Sequence, residues 1–242
     1  MHAAPQPDLT WLDWPHAGVD LSLALTRFTP ADFRHDQFVL AGIDCPPQIT
    51  VSTPRRQAEF FHGRLCARAA LRRIGVESDT LQLPIGSRRE PLWPAGVIGS
   101  ITHTAAIAAA TALPATGDWR GVGIDIEPIL SADGATAARA MVVSSAEAHY
   151  LAPFEARLGA HLPLTLAFSA KESFFKAAHG VVGRYFNFDA AELIRIDLAN
   201  HTLVLQLRET LSAQWREGMR CAIAFRNIDA SHVATLCLLG SM

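Results

Sequence analysis

TPRRQAEFFHGRLCARAALRRIG, residues 53–75, sets the frame for the whole chain. Ala58, Phe61, Leu65 and Ala69 recur at helical spacing, and Gly75 supplies a stop, so the segment reads as a helix. Downstream, LQLPIGSRREPLWPAG (81–96) is punctuated by Pro84, Gly86, Pro91 and Pro94, which predicts a short strand followed by a loop. VIGSITHTAAIAAATAL (97–113) then reads as a strand pair. After a turn in PATGDWRG (114–121), VGIDIE (122–127) alternates strictly and ends at Pro128. The pattern then repeats in kind: a second helix in FSAKESFFKAAHG (168–180), followed by β-rich runs in ELIRID, HTLVLQL, RCAIAF and VATLCLL. A helix followed by strands occurs twice, once on each side of Asp118. We therefore expect an α+β protein of two halves, 1–118 and 119–242, packed closely together. Residues 128–164 mix Ala, Ser and Gly with helical pieces and carry no assignment at this level.

Composition narrows the function classes. At 242 residues, 50% hydrophobic and 18% charged, the chain can bury a substantial core. Its formal net charge of -2 offers no overall field for nucleic acid or anionic lipid, so phosphate binding would have to come from local clusters. The Pro-rich opening MHAAPQPDLTWLDWPHAG has neither the basic start nor the apolar run of a signal peptide. AAIAAATALPA is far shorter than the roughly 20 residues a membrane span requires. These features predict a soluble, cytoplasmic protein. Cys45, Cys66, Cys221 and Cys237 are widely spaced, without C-x-x-C or zinc-finger spacing, and read as reduced structural thiols.

The chemistry gathers in four segments. On a strand, Asp125 and Glu127 point to one face and Val122, Ile124 and Ile126 to the other. Two adjacent carboxylates repel, and a shared hard cation such as Mg²⁺ relieves that repulsion; a solvated strand face is the plain alternative. In SAKESFFKA, Glu172 and Lys176 are spaced i,i+4 on one helix face. That suits a surface ion pair, and Ser169 with Glu172 also matches a capping box. Neither explains why Lys171 and Lys176 are the chain's only lysines while the other nineteen basic residues are arginine. Lysine is a compact charge with a movable pKa, suited to meeting one phosphate oxygen or to transferring a proton. Arg55, Arg56, Arg64, Arg68, Arg72 and Arg73 face a single acid, Glu59, in the first helix. Arg88 and Arg89 lie in a Gly/Pro loop whose backbone N–H groups are expected to be open to anions. His103 ends GSITH. No G-x-S-x-G elbow, P-loop or G-x-G-x-x-G is present.

Taken in order, RRQAEFFHGRLCARAAL, RREPLWPAGVIGSITHT, GVGIDIEP and FSAKESFFKA closely resemble the 4'-phosphopantetheinyl transferases of the enterobactin synthetase component D type. The resemblance implies a pseudo-dimer of two similar α+β halves with the active site at their interface. It implies transfer of the phosphopantetheine arm of coenzyme A to a serine of an apo acyl, peptidyl or aryl carrier protein, with release of 3',5'-ADP. By the same resemblance Asp125, Glu127 and Glu172 ligate Mg²⁺, with Mn²⁺ as a substitute. Glu172 and Lys176 are catalytic, His103 contacts the coenzyme A phosphates, and Arg64, Arg68 and Arg88 meet its 3'-phosphate, with Arg89 able to replace Arg88. A monomer working without nucleic acid or membrane is expected. A metal-dependent phosphohydrolase and a non-catalytic carrier- or nucleotide-binding module are the competing readings.

Overall fold

The computed structural model describes residues 8–76, 81–116 and 118–240. Residues 1–7 of the Pro-rich opening and Gly117 of the expected turn lie outside them. The chain divides into two compact units, Met1–Thr116 and Gly117–Met242.

In the first unit, β1 (Leu9–Asp13) and β2 (Ser22–Arg27) precede the short helices α1 (Asp36–Ala41) and α2 (Pro47–Thr50), then the long α3 (Pro54–Arg73) and the hairpin β3 (Val97–His103) and β4 (Ile107–Pro114). The antiparallel sheet runs β1-β2-β4-β3. Helix α3 starts where Thr53 accepts a bond from the Arg56 amide and Pro54 fills the first helical turn; the chain leaves it through Gly75 at φ +80°. Ala58, Phe61 and Leu65 are buried as their spacing predicts, and Cys66, Ala67 and Ala70 pack with Ala108, Ala110 and Ala112 of β4. The strands β1 and β2 have no counterpart in the sequence reading.

The expected strand at LQL is absent. Leu81 and Leu83 are buried, but their backbone runs irregularly to an isolated bridge between Ile85 and Pro91. Apolar alternation there reflects burial under a loop, and Pro84 interrupts any ladder.

The second unit opens with β5 (Trp119–Pro128), continues through α4 (Ala132–Met141), α5 (Ser145–Leu158) and the long α6 (Leu162–Val182), and ends in β6 (Ala191–Asp197), β7 (Thr202–Leu207), β8 (Arg220–Asn227) and β9 (His232–Gly240). Its sheet runs β5-β9-β8-β7-β6, so the last strand lies between the first and the hairpins. Helix α6 lies across β5 and β9 at very close range. A Cβ added to Gly123 would fall 1.8 Å from the Ser173 carbonyl oxygen, and one added to Gly121 would fall 2.1 Å from that of Ala177. By strand alternation Gly121, Gly123, Asp125 and Glu127 share the face that meets α6. The two glycines let the helix approach, and the two acids occupy the same line of approach.

All four cysteines are free thiols. Burial pushes the Cys66 thiol up to about 12 and raises that of Cys237, which suppresses thiolate formation and agrees with a packing role.

Candidate functional site: an acid and lysine cluster, and a basic cluster

The acids do not form a solvated strand face. Asp125 is only 3% exposed, while Glu127 and Glu172 are half-buried. Burial first, and then the Asp125 charge, push the Glu127 carboxyl up to about 8, with a further contribution from Glu172 against the lowering effect of Lys176. Burial also raises Glu172, Lys176 opposes it, and Asp125 adds to it. These mutual influences join three carboxylates and one ammonium in a single poorly hydrated group. Glu172 alone of the four also borders a cavity of about 90 Å³ lined by Phe174, Phe175, Tyr185, Phe186 and Phe188.

Two alternative readings of α6 left open by the sequence do not hold. The helix begins at Leu162, so Ser169 lies two turns in and Glu172 at its middle, and they form no capping box. Ser169 instead donates to Asp125 Oδ2 at 2.8 Å. The capping box belongs to α5, where Ser144 and Glu147 satisfy each other's backbone amides. Nor does Lys176 spend its charge on a surface pair with Glu172. Its Nζ donates to Asp125 Oδ1 at 2.6 Å and to the Ile124 carbonyl at 3.2 Å.

The two lysines have different work. Lys171 is 3% exposed, and its Nζ lies 2.8 Å from the Glu147 carboxylate and 2.7 Å from the Val142 carbonyl. Glu147 also accepts from the Leu193 amide at 2.6 Å. One buried ion pair therefore ties α6 to the start of α5 and to β6. Lys176 remains partly exposed beside the acids.

Among the described residues no three acidic, histidine or cysteine side chains already close round a metal position. Mg²⁺ does not require such a cage: it takes one or two carboxylates and completes its octahedron with water and phosphate oxygens. The donor set is hard oxygen throughout. An ammonium resting on Asp125 and a carboxyl held at about 8 mark a place that lacks positive charge. The residues present fit a divalent cation on that chemistry.

The first unit holds a separate basic cluster. Arg56 Nη1 lies 2.7 Å from His103 Nε2; because arginine only donates, Nε2 accepts and the ring proton sits on Nδ1, 3.6 Å from Glu59 Oε2. Glu59, nearly buried, also receives Arg55 and Arg56. Arg64 stacks over Phe60 with its Cζ 4.5 Å from the ring centre and donates Nε to the Leu83 carbonyl. Burial, and then the neighbouring Arg56 charge, bring Arg64 down to about 10. It borders a cavity of about 240 Å³ together with Asp44, Gln48 and Gln82. Arg56, which the sequence presents as one arginine among six, thus stands beside both His103 and Arg64. Only the pairing of α3 with the end of β3 reveals it.

Arg68 is placed differently. Its Nη1 donates to the carbonyls of Ala41 (2.6 Å) and Gly42 (3.3 Å), and its charged neighbour is Arg72. The 86–90 loop is not an open anion nest either. Glu90 takes the Arg88 amide with its carboxylate and the Gly86 amide with its carbonyl, and the Arg89 amide goes to Gly86. Arg88 is exposed on that loop, and Arg89 adopts φ +69°.

A buried acid and lysine cluster lies against the glycine-lined strand of the second unit, and an arginine and histidine cluster lies in the first. Comparison with known proteins identifies the class. The family model for the 4'-phosphopantetheinyl transferase N-terminal domain matches residues 46–113, and that of the 4'-phosphopantetheinyl transferase superfamily matches residues 121–237. The chain is 38% identical over 172 residues to the 4'-phosphopantetheinyl transferase Svp of Streptomyces mobaraensis, covering 71% of this chain and 68% of that protein. It is 40% identical over 152 residues to enterobactin synthase component D of Salmonella typhi, covering 62% of this chain and 60% of that protein. With the 4'-phosphopantetheinyl transferase Npt of Nocardia iowensis the identity is 33% over 148 residues, covering 60% of this chain and 62% of the relative. The chain belongs to the 4'-phosphopantetheinyl transferase superfamily, and it is an enzyme of that class.

Proposed function

We propose that this enzyme moves the 4'-phosphopantetheine arm of coenzyme A onto a serine of an apo carrier-protein domain and releases 3',5'-ADP, with Mg²⁺ held by Asp125, Glu127 and Glu172. The observation that carries the reading is the acid and lysine cluster on the glycine-lined face of β5, together with the family match over both units. Mg²⁺, or Mn²⁺ in its place, would neutralise the pyrophosphate oxygens and the charge developing on the departing phosphate.

The remaining roles fall to the chain's own residues. Glu172, whose carboxyl burial raises, takes the serine proton as the serine oxygen attacks the phosphorus bearing pantetheine. The bond from that phosphorus to the bridging oxygen breaks, and Lys176 stabilises or protonates the departing phosphate. Arg56 and Arg64 hold the 3'-phosphate with help from the exposed Arg88, and His103 contacts the coenzyme A phosphates through a ring N–H once Arg56 turns from it to the ligand. We leave Arg68 out of this group, since its Nη1 already donates to the Ala41 and Gly42 carbonyls. The reading includes a cytoplasmic monomer with no nucleic-acid or membrane partner.

The test is intact-mass analysis of several apo carrier proteins incubated with coenzyme A, Mg²⁺ and the enzyme. One phosphopantetheine gained on the carrier serine is expected. Coenzyme A cleaved without any gain on a carrier would replace transfer by hydrolysis, and coenzyme A left intact with every carrier would favour a binding module.

A further inference from the structure

Both oxygens of the Asp125 carboxylate are held by side chains of α6. Oδ1 faces Lys176, and Oδ2 receives the Ser169 hydroxyl at 2.8 Å. Thr235 is the residue paired with Asp125 across β5 and β9, and its Oγ1 lies 2.9 Å from Ser169 Oγ. Thr235 Oγ1 also sits 2.8 Å from the Ser169 carbonyl oxygen, which can only accept, so the Thr235 proton goes there. With that proton spent, Thr235 Oγ1 can only accept from Ser169 Oγ, so it competes with Asp125 Oδ2 for the one Ser169 proton; the charged carboxylate at 2.8 Å is the stronger acceptor, and Thr235 holds Ser169 in place through the Ser169 carbonyl. Ser169 and Thr235 are both 0% exposed, so water cannot stand in for either partner.

We infer that Ser169, oriented by Thr235, is the positioning residue that fixes the Asp125 carboxylate for the cation. The inference rests on the metal reading above and adds two residues to it. A carboxylate hydrogen-bonded at one oxygen keeps a single rotamer and presents the other oxygen in a fixed direction; losing such an outer partner typically costs 10–100-fold in metal affinity. Helix α6 carries Ser169, Glu172 and Lys176 together, so one rigid element would set the orientation of Asp125 and supply two of its neighbours.

The experiment is direct Mn²⁺ titration, read by electron paramagnetic resonance of the free ion, on full-length wild type, Asp125→Asn, Ser169→Ala, Thr235→Val and Thr235→Ser, with melting temperatures alongside. Ser169→Ala should raise the Mn²⁺ Kd by about 10–100-fold. Thr235→Val should act in the same direction more weakly, and Thr235→Ser should bind as wild type does. A Ser169→Ala protein that also carries Thr235→Val should bind no more weakly than Ser169→Ala alone, because Thr235 acts through Ser169. A folded Ser169→Ala protein that binds Mn²⁺ like wild type, while Asp125→Asn does not, overturns the inference and leaves the metal reading standing. Should Ser169→Ala fail to fold, wild-type affinity in Thr235→Val overturns it equally. Wild type that binds no Mn²⁺, or Asp125→Asn that binds as tightly as wild type, overturns both.

Discussion

Replacing Gly123 by alanine tests whether the closeness of α6 to β5 makes the site. The added Cβ would lie 1.8 Å from the Ser173 carbonyl oxygen and 2.6 Å from the Ala177 amide nitrogen, and real Cβ atoms essentially never approach within 3.0 Å. Both obstacles are helix backbone, so no side chain can rotate out of the way. Moving the oxygen from 1.8 Å to 3.0 Å requires α6 to retreat by about 1.2 Å. Such overpacking costs about 1–3 kcal/mol or somewhat more, and this case belongs at the upper end. The same retreat stretches the 2.6 Å bond from Lys176 to Asp125 beyond hydrogen-bond range if it runs along that bond. A 1 Å misplacement of catalytic groups can lower turnover about 100-fold. The assay pairs urea denaturation with kcat for carrier modification. Gly180→Ala is the control: Gly180 lies in the same helix with nothing near its Cβ position, so that change should be neutral or stabilising by about 0.4–1 kcal/mol. A Gly123→Ala enzyme with wild-type urea midpoint and wild-type kcat would refute the argument that close approach assembles the site.

The two lysines should separate cleanly. Lys171→Met strands a buried Glu147 and should cost about 3–5 kcal/mol in denaturant titration, whereas Lys176→Arg should keep its melting temperature and lose on the order of 100-fold in kcat. Arg56→Ala and Arg64→Ala should raise KM for coenzyme A about tenfold or more and matter much less for 3'-dephospho-coenzyme A; Arg68→Ala should lower stability without that contrast. Glu127, raised from 4.5 to about 8, favours its protonated form in the metal-free fold. Its contribution to stability is therefore full below about 4.5 and is lost as pH rises through about 8. Mg²⁺ must displace that proton, so its apparent affinity should fall by up to about tenfold per unit as pH drops below 8, with a proton released on binding. Calorimetry in buffers of different ionisation enthalpy measures both effects, and a pH-independent affinity from 6 to 8 would contradict the assignment of Glu127.

Much of this protein is legible in local pattern. The 3.6-residue spacing of Ala58, Phe61 and Leu65 marks α3 because a helix needs one apolar face, and the alternation of Val122, Ile124 and Ile126 marks β5 because a strand shows its faces in turn. The order of four motifs singles out the acids, the lysines, the arginines and His103 from sequence alone. What local pattern leaves open is phase and pairing. Ser169 and Glu172 satisfy the capping-box spacing as well as any pair does, and only the packing that starts α6 at Leu162 turns Ser169 toward Asp125. The turn of the same helix buries Lys171 on Glu147 and leaves Lys176 beside the acids, a division of labour invisible in the spacing of two identical residues. Thr235 lies 110 residues from Asp125, and they meet because β9 inserts next to β5. Neither residue encodes that register. It follows from which strands can bury their apolar faces together under α6, a property of the whole unit that no short window of sequence contains.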